Sequence, residues 1–568
     1  MIRLFVQDHS YSSWEYKLET NQEPITPFPE PISNKILNND VLMYNEQTQA
    51  YQLHHSPIRR AEYVPGVLIL EGNQTYGRTK NKKKCLYKCI PDDKHLPHFL
   101  VPYDIIIDFS KAYKNKYVIF KFQEWTAEHP LGMLVETLGD VNILEAFYEY
   151  QLYSKSLHSS LKEMTKKIKD MTKTKTMSQY FQDILLNPNY KIHDKTDRYV
   201  FTVDSHNTIE FDDAFSIHQE NNEIIVTVYV AQVVFWLELF QLWNSFDNRI
   251  STIYLPDRRR PMLPTILTDS LCSLKENEPR IVIATEFRFQ ESEDKTTTNL
   301  INVNIYNALI KVNKNYHYED HKMIYQDKYY IQLFELTSRL GSKIKNSCEL
   351  VSYWMVRTNS YIAEFMQKHK TGIYRIGKIK VKEFQDQEDE TEEEKQNFER
   401  LDQETKRYIE YHANAQSVLY QDDISLNHEL MNKKMYLRIT SAIRRYEDIC
   451  NQRELMRIMG ITLRDGESLH DLFHEDMCNE KYRSIRKVET ESEMMKRIYT
   501  QEEFYIKGVI YYRKQLPDGR YHYKVYIRNQ GIKDVKTREL FELYKEYNVY
   551  RYVKERGGGF KIKMEIFT

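Results

Sequence analysis

Four carboxylates lie within ten residues of one another in the segment 201-FTVDSHNTIEFDDAFSI-217: Asp204, Glu210, Asp212 and Asp213. Apolar residues flank this cluster on both sides, which is typical of core strands rather than of a solvated loop. Several carboxylate oxygens around Mg²⁺, with open positions for water and phosphate, would support phosphoryl chemistry. The spacing alone leaves a calcium loop or a plain acidic turn as alternatives.

The composition is typical of a protein with ordinary globular cores, because 41% of its 568 residues are hydrophobic. Its 81 basic and 82 acidic residues nearly cancel, which argues against a simple polybasic nucleic-acid binder but permits a locally basic channel. Six cysteines in a chain of this length indicate a reducing compartment. No apolar run approaches the ~20 residues that span a bilayer, and no signal or transit peptide is seen. We therefore expect a soluble protein of the cytoplasm.

Short apolar runs and a helical connector precede the carboxylates. Runs broken by turn residues, such as 64-VPGVLILEGNQTYGR-78, predict strands of small barrels. The segment 117–140 predicts a hairpin that turns at residues 130–132, and residues 141–185 predict helices. The connector contains the Lys-rich run 162-KEMTKKIKDMTKTK-175. Such a run is typical of a solvated helix face, and a phosphate-facing role is the alternative.

After the carboxylate cluster, the sequence predicts strands, then helices, then strands again. Strand patterns dominate residues 196–310, and helical patterns follow over 330–370. The acidic segment 383–404 predicts a solvated helix or surface insertion, and it is a candidate contact for a protein partner. Two alternating strands in residues 505–529 predict a further small barrel. The expected fold class is therefore an α+β multidomain protein, with OB-type barrels at both ends and a mixed α/β centre.

Three segments, in order along the chain, resemble the catalytic signature of the RNase II family, whose catalytic domain is called RNB. The first is the carboxylate cluster, 202-TVD-204 followed by Glu210 and 212-DDA-214. The second is 253-IYLPDRRRPMLPTILTDSLCSLKENEPR-280. The third is 428-HELMNKKMYLRITSAIRRYEDICNQREL-455. They follow the family's order and lie within a span of some 250 residues.

The N-terminal flank is similar to the exosome catalytic subunit branch of that family. The segment 125-WTAEHPLGMLVETLGD-140 resembles its second cold-shock-type barrel, and 99-FLVPYD-104 resembles the end of its first. We expect no N-terminal PIN endonuclease domain. With this resemblance, the predicted domains are a first cold-shock-like OB barrel at 1–110, a second with a connector at 111–190, an RNB catalytic domain at 191–495 and a C-terminal OB-type RNA-binding barrel at 496–568.

The resemblance implies a processive hydrolytic 3′→5′ exoribonuclease that degrades single-stranded RNA to nucleoside 5′-monophosphates, with Mg²⁺ or Mn²⁺ as cofactor. Arg444 matches the family's phosphate-binding catalytic arginine, and a guanidinium fork suits charge that develops on a phosphate. The residues carried over are Asp204, Glu210, Asp212 and Asp213 as catalytic metal ligands, and Tyr254, Tyr318, Arg445 and Tyr446 as RNA-binding residues. Stacking of bases on the tyrosines, worth ~1–3 kcal/mol per base, would hold single strands without reading sequence.

The chain departs from the family pattern at several positions. Glu210 replaces the usual Asp, Gln232 an Asp, Ser352 a Glu, Ala442 a Pro and Gln452 a His. These departures support an alternative, a catalytically weakened or inactive protein of the same fold that binds RNA or serves in an assembly. A third alternative is another metal-dependent phosphoesterase or an unrelated acidic protein. Retention of the carboxylates together with the arginine favours the exoribonuclease.

Overall fold

A computed structural model gives the fold of the chain. It describes residues 1–19, 25–104, 113–246, 249–291, 298–381, 391–463, 468–500, 505–528, 530–555 and 560–567. No helix in these ranges combines the length and the apolar character that a membrane crossing needs.

Two β-structures form the N-terminal part. The first is an antiparallel sheet in the order β2-β1-β3-β4, with β1 Ile2–Val6, β2 Trp14–Leu18, β3 Val41–Asn45 and β4 Ala50–His55. The short helix α1 (Pro57–Arg60) leads into the second. This is a closed barrel in the order β5-β6-β7-β9-β8, with β5 Val64–Leu68, β6 Cys85–Pro91, β7 Phe99–Tyr103, β8 Lys116–Glu124 and β9 Leu131–Asp140.

The barrel differs from the predicted division of the N-terminal part. Its strands lie on both sides of residue 110, because β8 pairs with β5 as well as with β9. One barrel therefore spans residues 64–140, and the predicted boundary between two barrels at 110/111 is corrected. The predicted hairpin over 117–140 is present as β8 and β9. Gly132 is required there, since an added Cβ would lie 2.6 Å from the ring of Phe120.

A helical connector leads from the barrel to the central sheet. It consists of α2 Leu144–Ser154, α3 Lys162–Met171 and α4 Met177–Leu186. The central sheet has the order β10-β17-β11-β12-β13-β16, and β16 also pairs with β17. Its strands are β10 Ile192–Asp194, β11 Val200–Asp204, β12 Asp213–Glu220, β13 Glu223–Ala231, β16 Pro279–Glu291 and β17 Thr298–His317. Between β13 and β16 lie α5 Val234–Leu239 and the small pair β14 Ile253–Tyr254 and β15 Arg259–Arg260.

Helices cover the central sheet, and this explains the apolar run of β13. All residues of β13 after Glu223 are buried, as expected for a strand covered on both faces. On one face, Trp354 packs against Phe287 and Phe289 of β16. The remaining elements of the centre are α6 His321–Gln326, α7 Lys328–Arg339, α8 Ser347–Lys368, β18 Ile373–Val381, β19 Tyr411–Leu419, α11 Tyr446–Ile458, α12 Leu469–Leu472 and α13 Glu475–Tyr499.

The C-terminal part is a five-stranded sheet onto which the acidic segment packs. The sheet has the order β22-β21-β20-β23-β24, with β20 Tyr505–Gln515, β21 Tyr521–Ile527, β22 Gly531–Thr537, β23 Glu546–Glu555 and β24 Phe560–Phe567. The acidic segment forms α9 (Glu392–Arg400) and α10 (Gln403–Glu410), while residues 383–390 lie outside the described ranges.

These two helices lie largely at the surface, as a solvated helix or surface insertion would, but each also makes a buried contact with the C-terminal sheet. Glu394 of α9 is buried and accepts a hydrogen bond from Arg513 of β20 at 2.8 Å. Ile409 of α10 belongs to the same apolar core as the sheet, and Tyr408 stacks on Tyr526 at 4.8 Å. Part of the acidic segment therefore attaches the C-terminal sheet to the centre. A contact with a protein partner stays a prediction.

Candidate active site

The four carboxylates lie where two adjacent strands of the central sheet meet. Asp204 is the last residue of β11, and Asp213 is the first residue of β12. The loop between these strands carries Glu210 and Asp212, both of which are buried. The turn from one strand into its antiparallel neighbour thus brings together side chains that are up to nine positions apart.

Ser273 fixes the conformation of this loop. Its hydroxyl donates to the carbonyl of Ile209 at 2.9 Å and accepts from the N–H of Phe211 at 3.1 Å. The N–H of Leu274 donates to the carbonyl of Phe211 at 3.0 Å. The 271-LCSL-274 motif therefore holds the backbone of the loop by hydrogen bonds. This fixes the backbone positions from which the side chains of Glu210 and Asp212 extend.

Asp212 holds the turn that carries Arg444. One carboxylate oxygen accepts from the N–H of Ile443 at 3.1 Å, and the other accepts from Nε of Arg444 at 2.7 Å. Arg444 also donates to the hydroxyl of Ser441 at 3.1 Å. The Asp212 side chain is 2% exposed and that of Arg444 is 41% exposed. A buried anion thus orients a guanidinium group whose outer part faces the cavity.

Glu210 is held by a second arginine, to which sequence analysis assigned no role. Nη1 of Arg259 lies 2.6 Å from Oε1 of Glu210, and the other end of the same guanidinium binds Asp269 at 2.7 Å. The hydroxyl of Tyr254 donates to Glu210 at 3.2 Å. Burial raises the pKa of Glu210 to about 7 against the opposing charge of Arg259. The only sequence signal for this arginine is the run 258-RRR-260.

Asp204 and Asp213 are the carboxylates whose negative charge is destabilised by burial and by neighbouring carboxylates. Burial, with a smaller contribution from Asp212, raises the pKa of Asp204 to about 7. Burial and the neighbouring carboxylates raise the pKa of Asp213 well above its ordinary value. One oxygen of Asp204, Oδ2, is buried without a hydrogen-bond partner. Oxygen donors of this kind fit a divalent cation, which would relieve both the burial cost and the mutual repulsion.

The predicted four-ligand metal site is not assembled as such. In the part of the chain that the structure describes, no three acidic, histidine or cysteine side chains are arranged to hold a metal ion together. Two of the four carboxylates, Glu210 and Asp212, contact Arg259 and Arg444 instead. Because each arginine supplies positive charge at hydrogen-bonding distance, these carboxylates have partners within the protein. Asp204 has a buried oxygen without a hydrogen-bond partner, which an added cation would satisfy.

The site opens into a cavity of about 740 Å³. It is lined by Asp204, Ser205, Asn207, Thr208, Ile209, Glu210, Asp212, Asp213, Tyr254, Arg258, Arg259, Tyr318 and Arg444. The two tyrosines predicted to contact RNA both line it. Tyr254 is 48% exposed, and its backbone N–H is fixed by Glu489 of α13 at 2.9 Å. The N–H of Tyr318 donates to the carbonyl of Asp204 at 2.9 Å.

Two predicted RNA-binding residues lie outside the cavity. Arg445 donates to Asp448 at 2.8 Å, one helical turn later. Tyr446 is 6% exposed, packs against Phe246 and donates its hydroxyl to the carbonyl of Leu472. Neither residue lines the cavity, and their contact with RNA stays a prediction. The backbone turns between Arg444 and Arg445, so neighbouring side chains have different partners.

Two departures from the family pattern meet in one buried hydrogen-bond network behind the site. Gln232 donates to Asn307 at 3.1 Å. Gln452 donates to the carbonyl of Ala231 at 3.0 Å and accepts from the N–H of Val233 at 3.3 Å. Both glutamines are fully buried, and neither lines the cavity. These residues connect α11 to the central sheet, so their effect is on packing rather than on the chemistry of the cavity.

Two protein-family models match the chain. Residues 192–331 and 330–460 match the RNB domain, and residues 86–150 match the Dis3-like cold-shock domain 2. Ribonuclease R of Chlamydia pneumoniae is 28% identical over 159 residues, which are 28% of this chain and 23% of that protein. The chain thus matches less than a quarter of the length of the first curated relatives.

Solved structures share the fold over most of the chain. Apo RNase R of Mycoplasma genitalium superposes with a TM-score of 0.62 at 15% identity, covering 91% of this chain and 92% of that one. Yeast Ssd1, described as a pseudonuclease, gives a TM-score of 0.57 at 14% identity, covering 90% and 71% of the two chains. These likenesses confirm the predicted fold class, with a cold-shock-type barrel, a mixed α/β RNB centre and barrel-like sheets.

Proposed function

We propose that the chain, whose residues 192–460 match the RNB domain, is a metal-dependent exoribonuclease that degrades single-stranded RNA from its 3′ end. One observation carries the proposal: Asp204, Asp212 and Asp213 line the same cavity as Arg444 and Tyr254. Carboxylates, a phosphate-binding cation and a stacking ring are the parts that phosphodiester hydrolysis needs. We propose Mg²⁺ as the cofactor, with Mn²⁺ as a substitute.

The proposed reaction breaks the bond between phosphorus and the 3′ oxygen of the penultimate nucleotide. Water attacks the phosphorus, the 3′ oxygen leaves with a proton, and one nucleoside 5′-monophosphate is released. A bound divalent cation supplies Lewis acidity toward the phosphate and water. Asp204 and Asp213 would hold it. Asp212 keeps the guanidinium of Arg444 in place, so this group can stabilise charge that develops on the phosphate oxygens.

The direction and product of the reaction are tested with RNA labelled at either end. With a 5′ label, wild-type protein and Mg²⁺ should give a series of progressively shorter RNAs. With a 3′ label, the first labelled product should be a mononucleotide. Release of a mononucleotide from the 5′-labelled RNA first, or early internal cuts, would contradict 3′→5′ degradation.

An RNA-binding protein without catalysis is the second candidate function. The ion pair between Glu210 and Arg259 favours it, because it occupies a carboxylate that the family pattern assigns to metal. Such a protein would bind single-stranded RNA equally well with or without Mg²⁺ and would leave it intact. The end-label experiment therefore separates the two candidates.

Metal binding itself should be visible without any RNA. We expect Mg²⁺ at about 100 times its Kd to stabilise the folded chain by about 2.7 kcal/mol, raising the apparent melting temperature by roughly 5 °C. The Asp204→Asn variant should lose most of this shift, because it loses a carboxylate charge at the orphaned oxygen. The control is Asp257→Asn, since Asp257 pairs with Arg260 and does not line the cavity. An equal shift in wild type and Asp204→Asn would place the ion elsewhere.

Tyr254 provides a test of base stacking. Tyr254→Ala should weaken binding of single-stranded RNA by about 10-fold, within the range expected for loss of one stacked base. Tyr254→Phe keeps the ring and loses only the hydrogen bond to Glu210, so its affinity should stay within about 3-fold of wild type. Affinities are measured in EDTA to prevent degradation. Equal losses in both variants would assign the effect to the hydroxyl and not to stacking.

A further inference from the structure

A second large cavity lies between the cold-shock-type barrel and the helical connector. Its volume is about 790 Å³. It is lined by Glu136, Tyr153, His158, Ser159, Ser160, Leu161, Lys162, Thr165, Lys166, Lys169, Asp170 and Lys173. The cavity thus joins β9, the end of α2 and one face of α3. We call it the lysine groove.

The lysines of the groove occupy one face of α3. Lys162, Lys166 and Lys169 are spaced by four and three residues, so their side chains follow one another along the helix. The opposite face buries Met164 and Ile168 in the central core. This packing fixes the helix orientation and keeps the lysines at the surface. From the first lysine to the third, the helix rises about 10 Å.

Most of this positive charge is not neutralised within the protein. Lys173 pairs with Asp170 at 2.6 Å. In the described part of the chain, by contrast, the side chains of Lys162, Lys166 and Lys169 make no ion pair, and all three are exposed. The neighbouring acid, Glu136, already accepts from the hydroxyl of Tyr153 at 3.1 Å. The lining of the groove contains four lysines and two acids, so a net positive charge remains that suits a polyanion.

The groove also contains a fixed aromatic pair. The rings of Tyr153 and His158 stack with centroids 3.9 Å apart and an interplanar angle of 11°. His158 is partly exposed and lines the groove. Grooves that combine cations along a backbone path with aromatic rings are typical of single-stranded nucleic-acid binding.

Direct contacts connect the groove to the segment that lines the active-site cavity. Arg249 donates to the carbonyl of Ser159 at 2.5 Å and to the carbonyl of Pro261 at 2.9 Å. Glu149, one helical turn before Tyr153 on α2, pairs with Arg258 at 3.1 Å. Arg258 in turn lines the active-site cavity. The groove and the active-site cavity are therefore joined by contacts that Arg249 and Arg258 make with the connector.

We propose that the lysine groove binds the phosphates of single-stranded RNA outside the active-site cavity, and this rests on the proposed function of that cavity. RNA is the occupant that we propose, because it is a polyanion and because the proposed function places its 3′ end in the active-site cavity. The groove contacts the RNA backbone and reads no sequence. Its function is to hold long substrates, while short ones need only the active-site cavity.

The test compares Lys162→Gln/Lys166→Gln/Lys169→Gln with wild type in RNA binding in EDTA, over a range of salt concentrations. For single-stranded RNA of about 30 nucleotides, several times the site size of one OB fold, affinity should fall about 10-fold or more. The slope of log affinity against log salt should fall by about 2, since each lost phosphate contact removes about 0.7. For RNA of about 4 nucleotides, affinity and degradation rate should change less than 2-fold.

Two matched variants control for folding and for net charge. The triple lysine-to-arginine variant at the same positions keeps the charge and should retain the wild-type salt slope. Lys322→Gln/Lys345→Gln/Lys368→Gln removes three exposed lysines elsewhere and should leave the slope unchanged. An unchanged slope in the groove variant, or an equal loss on short and long RNA, would overturn the proposal.

The outcomes also separate the groove from the proposed function. If wild-type protein binds RNA without degrading it, the proposed hydrolysis fails, while the reduced slope of the groove variant would still support the groove. If wild-type protein degrades RNA and the groove variant has the wild-type slope, only the groove proposal fails. If wild-type protein binds no RNA, both are overturned.

Discussion

Asp212→Asn is expected to reduce RNA degradation by at least about 10³-fold, the upper range for loss of one preorganised charge interaction. Asp212 is 2% exposed and accepts from both Ile443 and Arg444. Asparagine can still accept from the backbone N–H of Ile443. Its amide N–H₂ would then face Nε of Arg444, so two donors would oppose each other. The guanidinium would lose its fixed orientation, and the site would lose a negative charge.

RNA affinity separates this effect from general damage. Binding in EDTA should stay within a few-fold of wild type, because Asp212 is buried behind Arg444 and bases stack elsewhere. Single-turnover degradation and equilibrium binding are measured on the same preparations. Asp257→Asn is the matched control, since it changes an acid of the neighbouring 257-DRRR-260 run that does not line the cavity. Near wild-type degradation by Asp212→Asn would show that the assignment of the site is wrong.

Arg444→Lys is expected to cut turnover by roughly 10²-fold or more, as for loss of one transition-state donor, while RNA affinity falls only a few-fold. Lysine keeps the positive charge but loses the planar fork. Nε of Arg444 is held by Asp212 at 2.7 Å, and an Nη is held by Ser441 at 3.1 Å. The single ammonium group of a lysine lacks the separate nitrogens of the guanidinium plane. It therefore cannot hold Asp212 and Ser441 and donate to the phosphate at the same time.

The adjacent arginine provides the control for this variant. Arg445 pairs with Asp448 and does not line the cavity, so Arg445→Lys should leave turnover within about 3-fold of wild type. Comparable losses of turnover and affinity in Arg444→Lys would make Arg444 a plain phosphate anchor, as a binding protein requires. If Arg444→Lys had wild-type turnover and wild-type RNA affinity, Arg444 would take no part in the reaction.

The sequence predicted those parts of the site that lie close together along the chain. Asp204 and Asp213 follow from strand patterns on either side of a short loop, and the structure places them at the ends of β11 and β12. The cavity-lining positions of Tyr254 and Tyr318 came only from ordered motif matches. Each residue lies more than 40 positions from the loop, so periodicity could not locate it.

Other features depend on long-range packing that no local pattern records. The pairing of Arg259 with Glu210 joins residues 49 positions apart, and nothing in the run 258-RRR-260 shows which arginine turns inward. Tyr446 was carried over as an RNA-binding residue from the family resemblance, yet it begins α11 and packs inward. The boundary at 110/111 failed because barrel closure pairs strands far apart in sequence. The acidic helices α9 and α10 are largely exposed, as their composition predicts, but their buried contacts with the distant C-terminal sheet have no local signal in the sequence.

The central claim is that the carboxylate cavity hydrolyses RNA with a divalent metal ion. The most direct measurement incubates purified wild-type protein with 5′-labelled single-stranded RNA in Mg²⁺ and in EDTA, and measures degradation and binding on the same samples. We expect progressive shortening in Mg²⁺, none in EDTA, and RNA binding in both. Binding in both conditions with intact RNA throughout would contradict it and would identify a non-catalytic RNA-binding protein.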